Sequence, residues 1–301
     1  MKYAIGIDIG GTNIPVSLIN DAGKIIHTIE KKTDSHDGPS AVVDMIAGAV
    51  NELSKLTNGE KIIGIGLGAP GALDLNNGII LTSPNLQNWK NVPLLKMLKE
   101  KVSMAIYMDN DANCAAIGEH WIGGARGAKN AVMITLGTGV GGGIIIDGKI
   151  FRGSHGTAGE IGHITIERNG RPCGCGNLGC LEAYASATGA VKTAKEYGKE
   201  NVTAYEIFVS AENGDEVSKK ILNESGKYLG IGIATFVNIF DPDVVIIGGG
   251  FASAEKYLLP AAIEEAYKRS FKTIMDKVKI KKAELGNQAG VIGAARSVFL
   301  G

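Results

Sequence analysis

Apolar residues recur along the chain at two spacings, and the alternation between them predicts its elements. Residues 3–10, YAIGIDIG, form an apolar, β-branched run ending in glycine, the pattern of a buried strand. GTN then turns the chain, IPVSLIN returns, and after DAG the stretch KIIHTIEKKT makes a third strand, so the opening reads as a meander. From Val42 to Leu56 the apolar positions (Val42, Met45, Ile46, Ala49, Val50, Leu53) fall at helical spacing. KIIGIGLGAPG is another buried strand, and LTSPNLQNWKNVPL is a loop rich in Asn and Pro that leads to a short helix. AIYMDND is a strand, and a helix runs from Ala112 to about Trp121.

The pattern then restarts. AVMITLGTGVGGGIIIDGKIFRG is again strand, glycine turn, strand, with the DG turn feeding a third strand. Beyond a cysteine-bearing segment, a helical stretch from about Thr188 to Leu229 is followed by a further helix through Asn238 and the strand DVVIIGGG. A helix from about Ala254 to Arg269, the strand KVKIKKA and an amphipathic stretch from about Gln288 complete the chain. Two halves that each begin strand, glycine turn, strand imply a duplicated unit with a cleft between the copies.

A chain of 301 residues suits two modest domains, and 45% hydrophobic content supplies their cores. The 31 basic and 31 acidic side chains cancel, and no long run of one sign occurs. That pattern offers neither a nucleic-acid stripe nor a membrane-surface patch. MKYAIGIDIGGTN lacks the layout of a signal peptide, and no apolar run is long enough to span a bilayer. Of the four cysteines three crowd between Cys173 and Cys180, which disfavours a disulfide framework and points to thiol or metal chemistry in a reducing compartment, by default the cytoplasm.

Three glycine-rich turns follow apolar strands: DIGGTN at Asp8–Asn13, LGTGVGGG at Leu136–Gly143 and IGGGF at Ile247–Phe251. Glycine admits positive φ and lets backbone N–H groups approach an anion with no Cβ in the way. A single turn of this kind is as well explained by a tight hairpin. Three, two of them carrying a threonine (Thr12, Thr138) able to bond a phosphate oxygen, point to phosphate. None has the terminal Lys and Ser/Thr of a P-loop, and none opens a helix as a dinucleotide fingerprint should. In the first two the chain turns back into a second strand, an arrangement that argues for a nucleotide held between hairpins, as in actin-like phosphotransferases.

Candidate acids follow the strands. YMDNDANCAA places Asp109 and Asp111 where a strand ends and a helix begins, the edge at which open α/β sheets bind ligands. Spacing alone allows Asp111 to be either a general base or a helix cap. Asp8, at the end of the first strand, suits Mg²⁺ through water, or satisfaction by the N–H groups of its own turn.

The stretch HITIERNGRPCGCGNLGCLE gathers His163, Cys173, Cys175 and Cys180, four ligands of the kinds zinc prefers, with no open position. The Cys-x-Cys-x4-Cys spacing differs from the paired Cys-x2-Cys clips of zinc ribbons, and no basic or aromatic residues interleave, which disfavours binding of nucleic acid. Glu160 and Glu182 flank the ligands, so a metal joining His163 to the cysteines either fixes the two carboxylates relative to each other or simply holds the fold. Cys114 reads as a buried apolar residue. His27, His36, His120 and His155 have no comparable constellation.

DIGGTN, GAPG (Gly68–Gly71), DNDAN (Asp109–Asn113), LGTGVGGG, GEIGH (Gly159–His163) and CGCGNLGCLE fall in the order, and at about the distances, seen in the ROK family of bacterial sugar kinases. The chain resembles that family over essentially its whole length, and SPNLQNW at Ser83–Trp89 is similar to the members that phosphorylate glucose. The resemblance implies an α/β, actin-like ATPase (ribonuclease H-like) fold with two domains around a central cleft. The smaller domain would span 1–117, with about 289–301 packing back onto it, and the larger, 118–288, would contain the zinc loop.

It further implies phosphorylation of a hexose by ATP with Mg²⁺ and a structural Zn²⁺, glucose being the expected hexose. Another hexose or an N-acetylhexosamine is the alternative, as is a non-catalytic sugar sensor. Asp111, within Asn110-Asp111-Ala112-Asn113, matches the family's general base, while Asp109 is structural. Gly68, Pro70, Gly71, Asn85, Asn110, Glu160, His163 and Glu182 are expected at the sugar, His163 turning one ring nitrogen to zinc and the other to the sugar. Asp8, Gly10, Gly11, Thr12, Asn13, Gly137, Thr138, Gly139, Gly248, Gly249 and Gly250 are expected around the ATP phosphates and metal. Relatives imply a homo-oligomer, dimer or tetramer, with no nucleic-acid or membrane partner. The family's repressors carry an N-terminal helix-turn-helix, for which the seven residues before Asp8 leave no room.

Overall fold

In the computed structural model of the chain, which describes residues 1–32, 38–57, 59–83, 86 and 88–301, the opening meander forms as its pattern demands. Strand β1 (Tyr3–Asp8) buries Ala4, Ile5 and Ile7, and β2 (Asn13–Asn20) buries Ile14, Val16, Leu18 and Ile19. Both strands are apolar on two faces because each face is covered. The largely exposed β3 (Ile25–Lys32) closes the sheet edge with charged residues, which discourages further pairing.

The chain divides into two units, Met1–Gly127 with Ile150–Ala158 and Asn287–Gly301, and Ala128–Lys149 with Gly159–Gly286. The first unit thus extends past the expected boundary at residue 117 and also takes in 150–158. A physical reason lies in Arg152, whose guanidinium is paired with the buried Asp109.

Within the first unit the chain continues through α1 (Gly38–Ser54), β4 (Ile62–Ala69), β5 (Ala72–Asp74), β6 (Ile79–Thr82), β7 (Lys90–Val92), α2 (Leu94–Lys99), β8 (Ile106–Asn110) and α3 (Asp111–Ile122). The main sheet runs β3-β2-β1-β4-β8, with β4 and β8 parallel to β1. A second, three-stranded sheet, β5-β6-β7, occupies a region that the sequence pattern presents mostly as loop. Its strands are three or four residues long, too short to show a period of two, yet Leu73, Ile80 and Val92 are buried in the core.

The C-terminal helix Ala289–Leu300 packs onto this unit with main chain against main chain. A Cβ on Gly6 would strike the carbonyl of Val291, and one on Gly66 that of Ala294; Gly293 lies equally close to the carbonyl of Cys114 in α3. Glycine is required at these positions by close approach.

The second unit repeats the plan. Its sheet β11-β10-β9-β12-β13 is built from β9 (Ala131–Leu136), β10 (Val140–Ile146), β11 (Lys149–Ile150), β12 (Val244–Gly248) and β13 (Lys279–Lys282). As in the first sheet, an antiparallel hairpin is followed by parallel strands. The helices are α4 (Glu182–Ala185), α5 (Ala187–Glu196), α6 (Ala204–Glu212), α7 (Glu216–Phe240), α8 (Glu255–Arg269) and α9 (Lys272–Met275).

The helical stretch expected from Thr188 to Leu229 is therefore broken, and the break expected after Leu229 is absent. Thr203 starts α6 with a reciprocal capping box to Glu206, and Asp215 starts α7 by accepting from the Ser218 N–H. Gly230 does not end α7, because its missing side chain admits the Ala262 carbonyl of α8. No helix among the described residues is long and apolar enough to cross a membrane.

Candidate active site

Parallel register assembles the acids of the first unit. Asp8 stands opposite Gly68, Gly68 opposite Asp109, and Ala69 opposite Asn110, so the ends of β1, β4 and β8 coincide. The first glycine turn and the GAPG and DNDAN motifs consequently meet at one sheet edge. Pro70 is buried there, Gly71 takes φ +92° against the Thr82 main chain, and Asn85 lies outside the described residues.

Helix capping falls to Asn110 and not to Asp111: the Asn110 side-chain oxygen accepts from the N–H groups of Ala112 (3.0 Å) and Asn113 (3.4 Å). Asp111 is the first helical residue, and its Oδ1 accepts from the Ala112 N–H at 2.8 Å. Asp109 is buried and fully engaged. Its Oδ1 accepts from the Asn110 N–H and Asn113 Nδ2, each at 2.8 Å, and its Oδ2 accepts from Arg152 Nε at 2.8 Å and Nη2 at 2.6 Å.

Burial, with the charge of Asp111 adding to it, pushes the Asp8 carboxyl up to about 7. A cation beside Asp8 would relieve that penalty, so the position fits Mg²⁺. Burial also raises the thiol of Cys114 well above its ordinary value, which keeps it neutral, as an apolar residue. In the adjoining turn the Gly10 N–H donates to the Asn13 carbonyl at 3.2 Å; Gly11 is half-buried, and Thr12 and Asn13 are exposed.

In the second unit, the loop from His163 to Cys180 is folded by two isolated bridges, Thr165 with Cys180 and Pro172 with Leu178. It brings one donor atom each from His163, Cys173, Cys175 and Cys180 within 4.8 Å of one another. His163 Nδ1 lies 3.7 Å from Cys173 Sγ, and Cys175 Sγ lies 3.7 Å from Cys180 Sγ. Tetrahedral zinc, with Zn–S of about 2.3 Å and Zn–N of about 2.0 Å, separates its ligands by about 3.5–3.8 Å, so the donor set fits Zn²⁺. Burial pushes the Cys173 thiol up to about 12 and raises Cys180, whereas a backbone hydrogen bond from Asn177 lowers Cys175.

His163 turns its other nitrogen, Nε2, toward Glu160 Oε2 at 3.8 Å, and Glu160 is largely exposed. Glu182 is committed more deeply: its Oε2 accepts from the Val140 N–H at 3.0 Å, and Oε1 lies 3.4 Å from Cys173 Sγ.

The same segment also holds the second glycine turn. The Ala187 N–H donates to the Gly137 carbonyl at 2.9 Å, and Thr188 Oγ1 donates to the Thr138 carbonyl at 2.7 Å. A Cβ on Gly139 would meet the Glu182 carboxylate, which could remain on the Val140 N–H only by shifting. In the third turn Gly248 ends β12, Gly249 takes φ +89° against Leu136, and Gly250 opens the 3-10 turn Gly250–Ala254 that leads into α8. The expectation that no glycine turn opens a helix fails here, because Gly249 redirects the chain where the first two turns form hairpins.

Arg152 and Thr188 went unnoticed in the sequence. An isolated Arg in IFRG and a Thr in a helical stretch match no motif, and both gain their partners only through folding.

A model of the ROK family matches residues 4–298. A protein of Halalkalibacterium halodurans named glucokinase is 39% identical over 97% of this chain and 93% of its own length. The xylose repressor of Caldicellulosiruptor bescii is 34% identical over 98% of this chain and 77% of its own. The crystal structure of a ROK family glucokinase from Streptomyces griseus, in complex with glucose and AMPPNP, superposes with a TM-score of 0.84 at 32% identity, covering 99% of this chain and all of that one. The two-domain α/β fold is accordingly that of the actin-like ATPases, as the repeated sheets require. With the family's pattern spanning nearly every residue, the chain belongs to the ROK family.

Proposed function

We propose that the chain is an ATP-dependent hexose kinase that converts glucose to glucose 6-phosphate. The observation that carries the reading is the placement of Asp111, which leaves capping to Asn110 and stands at the sheet edge within the electrostatic reach of Asp8. The glucokinase relatives and the glucose-bound neighbour support the same class.

Phosphoryl transfer asks the protein mainly for positioning, charge neutralisation and a base. Asp111 takes the proton of the C6 hydroxyl as that oxygen attacks the γ-phosphorus in line, the bond to the ADP leaving group breaking on the opposite side. Asn85, Asn110, Glu160, His163, Glu182 and the Gly68-Ala69-Pro70-Gly71 backbone orient the sugar. The turns at Gly10–Asn13, Gly137–Gly139 and Gly248–Gly250 present N–H groups to the phosphates. Asp8 would hold Mg²⁺, which when bound offsets the phosphate charge. His163, Cys173, Cys175 and Cys180 would hold Zn²⁺, which supplies loop order and no step of the reaction.

Sugar-dependent ADP release from Mg-ATP, measured with glucose, mannose, fructose, allose, N-acetylglucosamine and N-acetylmannosamine, tests the reading. Glucose should lead by one to two orders of magnitude in kcat/KM, since a misplaced hydroxyl strands a polar partner at about 1–3 kcal/mol. Preference for another hexose would reassign the substrate. A second reading, a sugar-responsive regulator, is favoured by the repressor relatives. Sugar binding without turnover of any hexose would select it.

A further inference from the structure

Asp109 grips the residues on both sides of the proposed base and is itself gripped by one arginine. Its Oδ1 holds the main-chain N–H of Asn110 and the side chain of Asn113, which bracket Asp111. Its Oδ2 receives Nε and Nη2 of Arg152 at 2.8 and 2.6 Å. The Asp109 side chain is only 3% exposed, so these four donors take the place of the water it has lost. Arg152 belongs to Ile150–Ala158, a segment of the first unit that falls in sequence between the two stretches of the second. The segment is closed on itself by the Ala158 N–H on the Arg152 carbonyl at 3.1 Å. It joins the first unit in company with a buried acid, and nothing in the motifs of the family resemblance assigns the arginine a task.

We infer that Arg152 is a positioning residue for phosphoryl transfer: by locking Asp109 it sets the register of the Asn110-Asp111 turn, and so the orientation of the base and of the adjoining sugar contact. The inference rests on the kinase reading above. A planar guanidinium meeting a carboxylate through two N–H groups fixes both distance and plane, which an ammonium cannot do. A displacement of about 1 Å at a base costs about 10²-fold in rate. The hydrogen bonds and ion pair that the Arg152 guanidinium makes among the described residues go to Asp109, and none of them to a residue assigned to the nucleotide, so its influence should divide between the substrates.

The experiment compares Arg152→Met, Arg152→Lys, Asp109→Asn and the Arg152→Met/Asp109→Asn double variant with the wild-type chain. Arg152→Met should lower kcat about 10²-fold and raise the sugar KM several-fold, with the KM for ATP and the zinc content within two-fold of wild type. Arg152→Lys should fall between. The double variant decides between positioning and mere neutralisation. If Arg152 only neutralises a buried charge, removing that charge as well restores kcat, which would overturn the inference. If it positions the turn, thermal stability recovers while kcat stays low.

An Arg152→Met enzyme with wild-type kcat, or with equal losses for sugar and ATP, would overturn it too. Wild-type turnover, run alongside, judges the kinase reading separately. Amide exchange at Asn110–Asn113, read without substrate, should accelerate at least ten-fold in Arg152→Met; unchanged exchange there refutes the inference even if no hexose is turned over.

Discussion

Asp111 and Glu160 are proposed to meet the same sugar, yet their units hold them by different means. Asp111 follows a strand of a covered sheet, in a turn fastened by Asp109, Asn110 and Arg152, and beneath it the C-terminal helix lies against the strands without intervening side chains. Glu160 opens a largely exposed loop that runs to Cys180 with few buried apolar residues. The first arrangement draws its rigidity from close packing, and the second from bridges, turns, the contacts of Arg171 with Tyr184, Glu196 and the Ala183 and Gly189 carbonyls, and four converging donors. A base must be fixed on a rigid element, whereas a substrate-contacting loop can be ordered by a bound ion.

The largest expected effect breaks the first region alone. Asp111→Ala should reduce kcat by about 10³-fold, within the range of general-base contributions, while leaving sugar affinity by calorimetry within a few-fold of wild type. Retained turnover would show that the proton leaves by another route, and the rigid edge would then have a different purpose.

The second region should fail through its metal. Chelation of zinc, or Cys175→Ala, is expected to lower kcat/KM for the sugar about 10- to 100-fold, the scale at which ligand-orienting contacts act. Hydrogen exchange should rise over residues 160–181 and remain unchanged in β1, β4 and β8. Loss of protection in both regions would mean that they unfold as one and that the zinc loop has no separate stability.

A smaller effect concerns the stability of the rigid edge. Asp8 has its pKa raised by burial, and next by Asp111, from 3.8 to about 7. Between about pH 4 and pH 7 the native chain holds a proton that the unfolded chain has released, so stability falls as pH rises through that window and levels off above it. Without Mg²⁺ or nucleotide, Asp8→Asn should remove this slope and leave the protein more stable at pH 8 by about 2–4 kcal/mol in urea. The gain should vanish near pH 4, and an equal gain at both pH values would place its origin outside the titration of Asp8.

Legibility in the sequence followed the same divide. β1, β2, β4, β9, β10 and β12 were readable because they are largely buried and carry apolar runs, and the donor set because cysteine and histidine have few other uses at such spacing. Short strands such as Ala72–Asp74 were not, since three residues show no period. Gly230 stands at the expected break yet continues α7, because a residue able to end a helix also permits close helix packing. Asn110 and Asp111 are both competent caps, and only their conformations separate a cap from a first helical residue. Arg152 was invisible because its partner lies 43 positions away.

The smallest effect lies where the ordered loop meets the glycine turn. Thr188 donates to the Thr138 carbonyl, Ala187 to that of Gly137, and Glu182 accepts from Val140, so the segment following the cysteines holds the turn proposed to face phosphate at three residues. Thr188→Ala removes one of these bonds and leaves the sugar and zinc ligands untouched. One hydrogen bond of about 1 kcal/mol corresponds to about a five-fold rise in the KM for ATP, with the sugar KM unchanged and with recovery in Thr188→Ser. A rise in the sugar KM instead would tie the turn to the acceptor, and the loop would then order one substrate only.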